Sequence, residues 1–283
     1  MTYPDPILFQ IGPLAIRWYG LLIATGALLA GYVASLEAQR RGLNPDHVWN
    51  ALIIVLVSGI IGARLYHVVS SPADTQAGLS YYLQNPTKII AIWEGGLGIY
   101  GAVAGGALGL YLYARYHGLR FWQWADMAAI GLPLAQAIGR WGNFFNQELY
   151  GNPTRLPWGI RIDAAHRLPQ FADLPPETRF HPTFLYESLW NLGAFLVLLF
   201  LARRYGDRLR QGDLFLVYLI LYPVGRILVE LQRPDAWRIA GIPTAQWVAG
   251  GLILLSLFLL WYRRRAGVPA SQVNGRSQAQ RRA

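Results

Sequence analysis

The segment GRWGNFFNQELYG, residues 139–151, ends a long apolar run with an arginine, two asparagines and a glutamate. Arg140 and Asn143 are three apart, and on a helix they share a face with Gln147. Asn146 and Glu148 stand just beyond, and Gly139 and Gly142 permit close approach of backbones. Guanidinium is the side chain best matched to a phosphate oxyanion, which it can bind through two parallel N–H bonds. A second set lies in DLFLVYLILYPVGRILVELQRPD. There Tyr222, Arg226, Glu230 and Arg233 are spaced by four, four and three, which places them on one helical face. Arg226 and Glu230 read either as a buried ion pair or as a pair turned into a polar cavity.

Other polar groups are open to two readings each. Tyr19, beside Arg17 and Trp18, is an interfacial anchor or a ligand contact. Tyr100 is an interfacial tyrosine or part of a site, with Glu94 on the same outward half of its segment. Arg64, near a segment end, has the reach to snorkel to headgroups. In HPTFLYES, residues 181–188, His181 and Glu187 are a helix cap and an interhelical partner, or they are catalysts. Ionisable groups within a membrane span are costly, so each is a functional candidate.

The elements that must hold these groups are apolar helices. The chain has 283 residues, 54% hydrophobic and 14% charged, against roughly 25% charged in soluble domains. Its mean hydropathy is +0.26. Seven segments meet the roughly 20 residues that a bilayer core demands: 14–36, 48–69, 89–113, 124–146, 183–202, 213–232 and 245–262. Short connections pack them into one bundle, a single seven-helix domain over residues 1–265. Gly101, Gly105 and Gly109 form a small-residue ridge suited to helix packing. Lys and Arg concentrate in 37–47, 114–123, 203–212 and the tail, which puts those loops in the cytoplasm and the N-terminus outside. The 147–182 segment, between the fourth and fifth helices, is then an extracytoplasmic cap, and its prolines and arginines suit an ordered one. The basic tail, 266–283, reads as disordered. The fold class is an all-α polytopic membrane protein.

Composition also excludes. With no cysteine there is no disulfide, thiolate metal site or cysteine nucleophile. The five histidines lack metal-ligand spacing. Asp126 is the one aspartate inside a span core, which removes the aspartate-rich metal motif of phospholipid alcohol phosphotransferases. Residues alone thus give a polar, arginine-bearing cavity open toward the outer leaflet, suited to an anionic lipid. They do not fix a reaction. An anionic-lipid transporter or flippase shares the arginine cavity but needs a route to both leaflets. A scaffold leaves Arg140, Arg226 and Glu230 unexplained.

The chain resembles the prolipoprotein diacylglyceryl transferases over nearly its whole length, starting at DPILFQIGPLAIRWYG. GRWGNFFNQELYG matches the family signature GRxGNFxNxExxG at every fixed position, and IWEGGLGIYG, HPTFLYES and GRILVELQRPD follow the family in order and spacing. The resemblance implies transfer of the diacylglyceryl group of phosphatidylglycerol to the lipobox cysteine of a prolipoprotein in the bacterial cytoplasmic (inner) membrane. A thioether forms and glycerol phosphate leaves, with no cofactor or metal and no nucleic acid involved. It implies headgroup binding by Arg140 with Tyr19, Asn143, Gly151 and Arg226. It implies catalytic roles for Arg140, Arg226, Glu230, Asn143, Glu148 and Tyr100. Many relatives carry histidine in place of Tyr100. Tyrosine, with a pKa of about 10, is a poor base at neutral pH. Tyr100 is therefore expected to orient lipid or thiol, with Glu148 or Glu230 as proton acceptor.

Overall fold

The computed structural model describes residues 4–12, 14–71, 78–234 and 238–266. The tail expected from 266 onward lies outside them apart from its first residue. Contacts group the chain into two compact units, residues 1–37 with 126–283 and residues 38–125.

The larger unit opens with an antiparallel hairpin, β1 (Ile7–Ile11) and β2 (Leu14–Arg17), which leads into α1 (Trp18–Arg40). The Trp18 ring stacks on Phe145, centroids 4.7 Å apart, at the end of α5 (Phe121–Phe145). Gly26 and Gly131 bring the backbones of α1 and α5 together, since a Cβ at either would press on Ala135 or Ala30. Such close approach is how small residues replace hydrophobic drive between membrane helices. Residues 146–182 fold as a small substructure of this unit. Strands β3 (Pro153–Thr154), β4 (Ile160–Arg161) and β5 (Arg179–Phe180) pair in the order β3-β5-β4 over a core of Tyr150, Ile162 and Phe180. Arg167 ties the irregular part together. Its guanidinium donates to the carbonyls of Ile162, Leu174, Pro175 and Pro176, which otherwise lack partners in a strand or helix.

Next come α6 (Thr183–Arg204) and α7 (Asp213–Glu230), then the short hairpin of β6 (Arg238–Ile239) and β7 (Ile242–Pro243), then α8 (Thr244–Arg265). Buried Asp126 on α5 accepts from the amides of Gly212 and Phe215, so a carboxylate from one helix caps the N-terminus of another. Trp190 on α6 donates to the Leu221 carbonyl (2.8 Å) and packs on the bare Cα of Gly225.

The smaller unit holds α2 (Asp46–Ser70), α3 (Leu79–Gln84) and α4 (Ile99–Tyr116). Here α2 and α4 meet through Gly62, Gly101 and Gly105, where any Cβ would strike the facing backbone. The segment expected to begin a helix at residue 89 does not. Residues 86–94 form two short 3-10 turns, and α4 starts at Ile99. Gly95 and Gly96, at φ 86° and 72°, leave the helical region. Arg64, which has the reach to snorkel, is instead buried at 6% exposure. It donates to the carbonyls of Lys88 (2.5 Å), Ile89 (2.8 Å), Gly95 (2.6 Å) and Gly96 (2.9 Å). One buried cation thus satisfies the carbonyls that a longer helix would have satisfied itself.

Seven of the eight α-helices among the described residues have 18 residues or more. Four of them, α1, α2, α6 and α8, are long and apolar enough to cross a membrane. Large apolar side chains such as Leu254, Leu255, Leu257 and Phe258 on α8 stand outward, as lipid-facing positions do. The other three long helices are diluted. Glycine and tyrosine do it in α4, Asp126, Gln136 and Arg140 in α5, and Asp213, Arg226 and Glu230 in α7.

Candidate active site

Two of the diluted helices, with α6 between them in contact, build the polar centre of the larger unit. Arg140 extends from the last turns of α5, Arg226 from α7, and both reach Glu187 in the second turn of α6. Arg140 Nη2 lies 2.5 Å from one Glu187 carboxylate oxygen, and Arg226 Nη1 lies 3.1 Å from the other. Arg226 Nη2 also meets Glu230 at 2.5 Å, one turn along its own helix. The two arginine side chains keep 21% and 18% exposure, while the carboxylates keep 7% and 5%. Cations are therefore reachable from outside and their counter-charges are not. Charges this poorly solvated are tolerable only when paired. Sequence left Arg226 and Glu230 as pair or cavity group, and the structure pairs them, with Arg226 alone of the two lining a crevice. A crevice lined by Glu187, Trp190, Asn191, Tyr222, Gly225 and Arg226 opens beside the pair.

The end of α5 departs from what spacing suggests. Gln147 does not share a face with Arg140 and Asn143, because the helix stops at Phe145 and Gln147 turns left-handed at φ 52°. Its side chain accepts from the Asp163 amide instead. Leu149 is left-handed too, at φ 56°. For residues with a Cβ this conformation costs about 1–2 kcal/mol each, and such strain gathers at functional sites. Its result here is that the chain folds back on itself. The Glu148 amide donates to the Asn143 carbonyl (3.0 Å), and Glu148 Oε1 accepts from Asn143 Nδ2 (2.8 Å) and Asn146 Nδ2 (3.2 Å). Asn143 is buried, whereas Glu148 is exposed.

The Tyr19 ring lies on Gly142, where a Cβ would collide with it, and Tyr19 is within electrostatic reach of both Glu148 and Arg140. Gly151 is where three segments meet. A Cβ there would sit 2.8 Å from His181 Cβ, 3.0 Å from the Gln232 carbonyl and 3.1 Å from Thr183 Cγ2. Gly151 and His181 also exchange main-chain contact, the Gly151 amide donating to the His181 carbonyl (2.9 Å). His181 in turn meets the Tyr186 hydroxyl at 3.0 Å. Trp141 donates to Ser188, whose hydroxyl donates to the Ala137 carbonyl, locking α6 against α5 next to Glu187.

Of the residues singled out in the sequence, Arg140, Arg226, Glu230, Asn143, Glu148, Tyr19 and Gly151 all belong to this unit. Tyr100 belongs to the other, in the first turn of α4. It is 54% exposed, with its ring tilted against Tyr66 at 5.8 Å. Glu187 is the residue whose weight the sequence left undecided. Its signal was the carboxylate in the second turn of an apolar helix, but only packing reveals two arginines on it.

A model of the prolipoprotein diacylglyceryl transferase family matches residues 6–262. Curated relatives cover nearly the whole chain. A phosphatidylglycerol–prolipoprotein diacylglyceryl transferase of Symbiobacterium thermophilum is 46% identical over 94% of this chain and 95% of its own. Proteins of the same name from Trichormus variabilis and Chloroflexus aggregans are 44% and 43% identical. They cover 95% and 97% of this chain and 93% and 97% of their own. With matches of this extent, the chain belongs to the prolipoprotein diacylglyceryl transferase family.

Proposed function

We propose that this multi-pass membrane protein transfers the diacylglyceryl group of phosphatidylglycerol to the lipobox cysteine thiol of prolipoproteins. The relatives' shared name speaks for transfer rather than for lipid transport. The observation that carries the site assignment is the convergence of Arg140 and Arg226 on one anion. Two guanidinium groups fixed on different helices form a ready clamp for the phosphate of a lipid headgroup. Tyr19, Asn143 and Gly151 bind the headgroup with them.

In the reaction the thiolate attacks the glycerol carbon that bears the phosphate. The C–S bond forms as the C–O bond breaks, and the electron pair leaves on glycerol phosphate. Charge gathers on the departing phosphate oxygen, where Arg140 and Arg226 stabilise it without having to reorganise. A free thiol has a pKa of about 8.5, so a proton acceptor or an electropositive setting must raise its thiolate fraction. Asn143 holds Glu148 in place, Glu230 holds Arg226, and Tyr100 orients lipid or thiol. The catalytic domain comprises seven spans over residues 1–265. The N-terminus and the 147–182 cap are outside, and the C-terminus is in the cytoplasm.

Purified protein incubated with phosphatidylglycerol and a lipobox peptide should yield a peptide heavier by one diacylglyceryl group by mass spectrometry. Arg140→Ala should abolish the adduct in protein that still folds. An unmodified peptide with the wild-type protein would remove the transferase reading.

A further inference from the structure

The Glu187 carboxylate stands where the phosphate of a substrate has to go. One of its oxygens takes Arg140 and the other takes Arg226. A phosphate that claims both forks must displace this carboxylate. Glu230 touches Arg226 alone, and Glu148 is held by Asn143 and Asn146. While two guanidinium groups hold it, both of its oxygens are engaged. Once phosphate has taken the guanidinium groups, both oxygens are released beside the bound headgroup and can accept a proton.

The surroundings suit that proton. Asn191 lies one turn beyond Glu187 on α6 and donates through Nδ2 to the Glu187 carbonyl at 2.8 Å. Its Oδ1 is buried without a hydrogen-bond partner among the described residues, and Asn191 and Glu187 line the same crevice. An unpartnered buried acceptor is costly. An ionised carboxylate, which only accepts, cannot satisfy it, whereas a protonated carboxyl can donate to it.

We propose that Glu187 is the proton acceptor of the reaction, masked by Arg140 and Arg226 until phosphate displaces it. This rests on the phosphate reading of those two arginines. The cysteine S–H proton passes to a Glu187 oxygen, and the sulfur lone pair forms the C–S bond. The C–O pair leaves on glycerol phosphate, which takes the proton from Glu187 as it departs. Asn191 is a positioning residue that holds the protonated carboxyl. The charged and titratable groups around Glu187 are Arg140 from α5 and Arg226 and Tyr222 from α7; Glu230 pairs with Arg226, and His181 is engaged with Tyr186.

The test is Glu187→Gln, followed by mass spectrometry of the lipobox peptide at pH 7 and pH 9.5, with phosphatidylglycerol binding measured by titration in detergent. The expected result is lipid binding as tight as wild type or tighter, since the competing anion is gone. Turnover at pH 7 should be lower by about 100-fold, the lower end of what a general base contributes. At pH 9.5, where the peptide thiol is already ionised, the gap should shrink to less than about tenfold. Asn191→Leu should show a smaller loss with the same recovery. A Glu187→Gln protein that turns over at pH 7 like wild type, or whose deficit is the same at both pH values, overturns the proposal. If that variant does not accumulate, Glu187→Asp retains the carboxylate one methylene further back. It should be slowed at pH 7 and should recover at pH 9.5, and a deficit independent of pH counts against the proposal. These outcomes are separate from failure of the wild-type protein to modify the peptide, which would overturn the transferase reading and this one with it.

Discussion

The Tyr19 ring lies directly on the bare Cα of Gly142, so the start of α1 and the signature segment of α5 fit together only because residue 142 has no side chain. Gly142→Ala should displace Tyr19 and destabilise the protein by about 1–3 kcal/mol, the usual range for overpacking. Thermal unfolding in detergent would measure it. Tyr19→Ala in the same chain should recover much of the loss, giving a clearly non-additive double-mutant cycle.

Arg140 and Lys at the same position should not be equivalent. Arg140→Lys keeps the charge but loses the planar fork that spans a carboxylate or phosphate. Peptide modification should fall by about 100-fold or more, in the range seen when one donor to a developing charge is removed. A drop smaller than about threefold would mean that charge alone suffices.

Arg64 holds four carbonyls of the 88–96 turn. Arg64→Leu should loosen this segment without unfolding α2 or α4. Hydrogen exchange followed by mass spectrometry should report faster exchange of residues 86–98, including the Gly98 amide that now donates to Ala63. Because hydrogen bonds to charged groups contribute about 1.5–3 kcal/mol, acceleration by at least tenfold is expected.

Asp126 tests the difference between a structural and a chemical polar residue. It caps α7 through the amides of Gly212 and Phe215, far along the helix from Arg226. Asp126→Ala should lower stability by about 1–2 kcal/mol, as loss of a helix cap does. The folded protein should bind phosphatidylglycerol as before.

Tyr100→Phe separates orientation from proton transfer. If Tyr100 only orients lipid or thiol, its variant should retain turnover to within about tenfold at neutral pH, where tyrosine is a weak base. Abolished turnover with lipid binding and fold intact would assign Tyr100 a larger part.

The positions of Arg140, Arg226, Glu230 and the signature glycines were legible because polar residues in apolar helices stand out at helical spacing. The long helices were legible for the same reason, periodic burial over many residues. The third helix was misjudged at its start because an apolar stretch looks the same whether it is helical or wrapped around a buried arginine. Gln147 was misplaced because a left-handed turn by a non-glycine residue leaves no mark in composition.

By itself the sequence determined an apolar multi-helix chain with arginines and carboxylates at particular heights along its helices, since hydropathy and helical period depend on residue order alone. Only the tertiary structure decided which charges meet. Arg140, Glu187 and Arg226 come from three helices and are far apart in the chain, so no local pattern records that one carboxylate joins two guanidinium groups. Nor does any local pattern record that Arg64 turns inward. Both follow from the need of poorly solvated charges to find partners, and those partners exist only once the helices have packed.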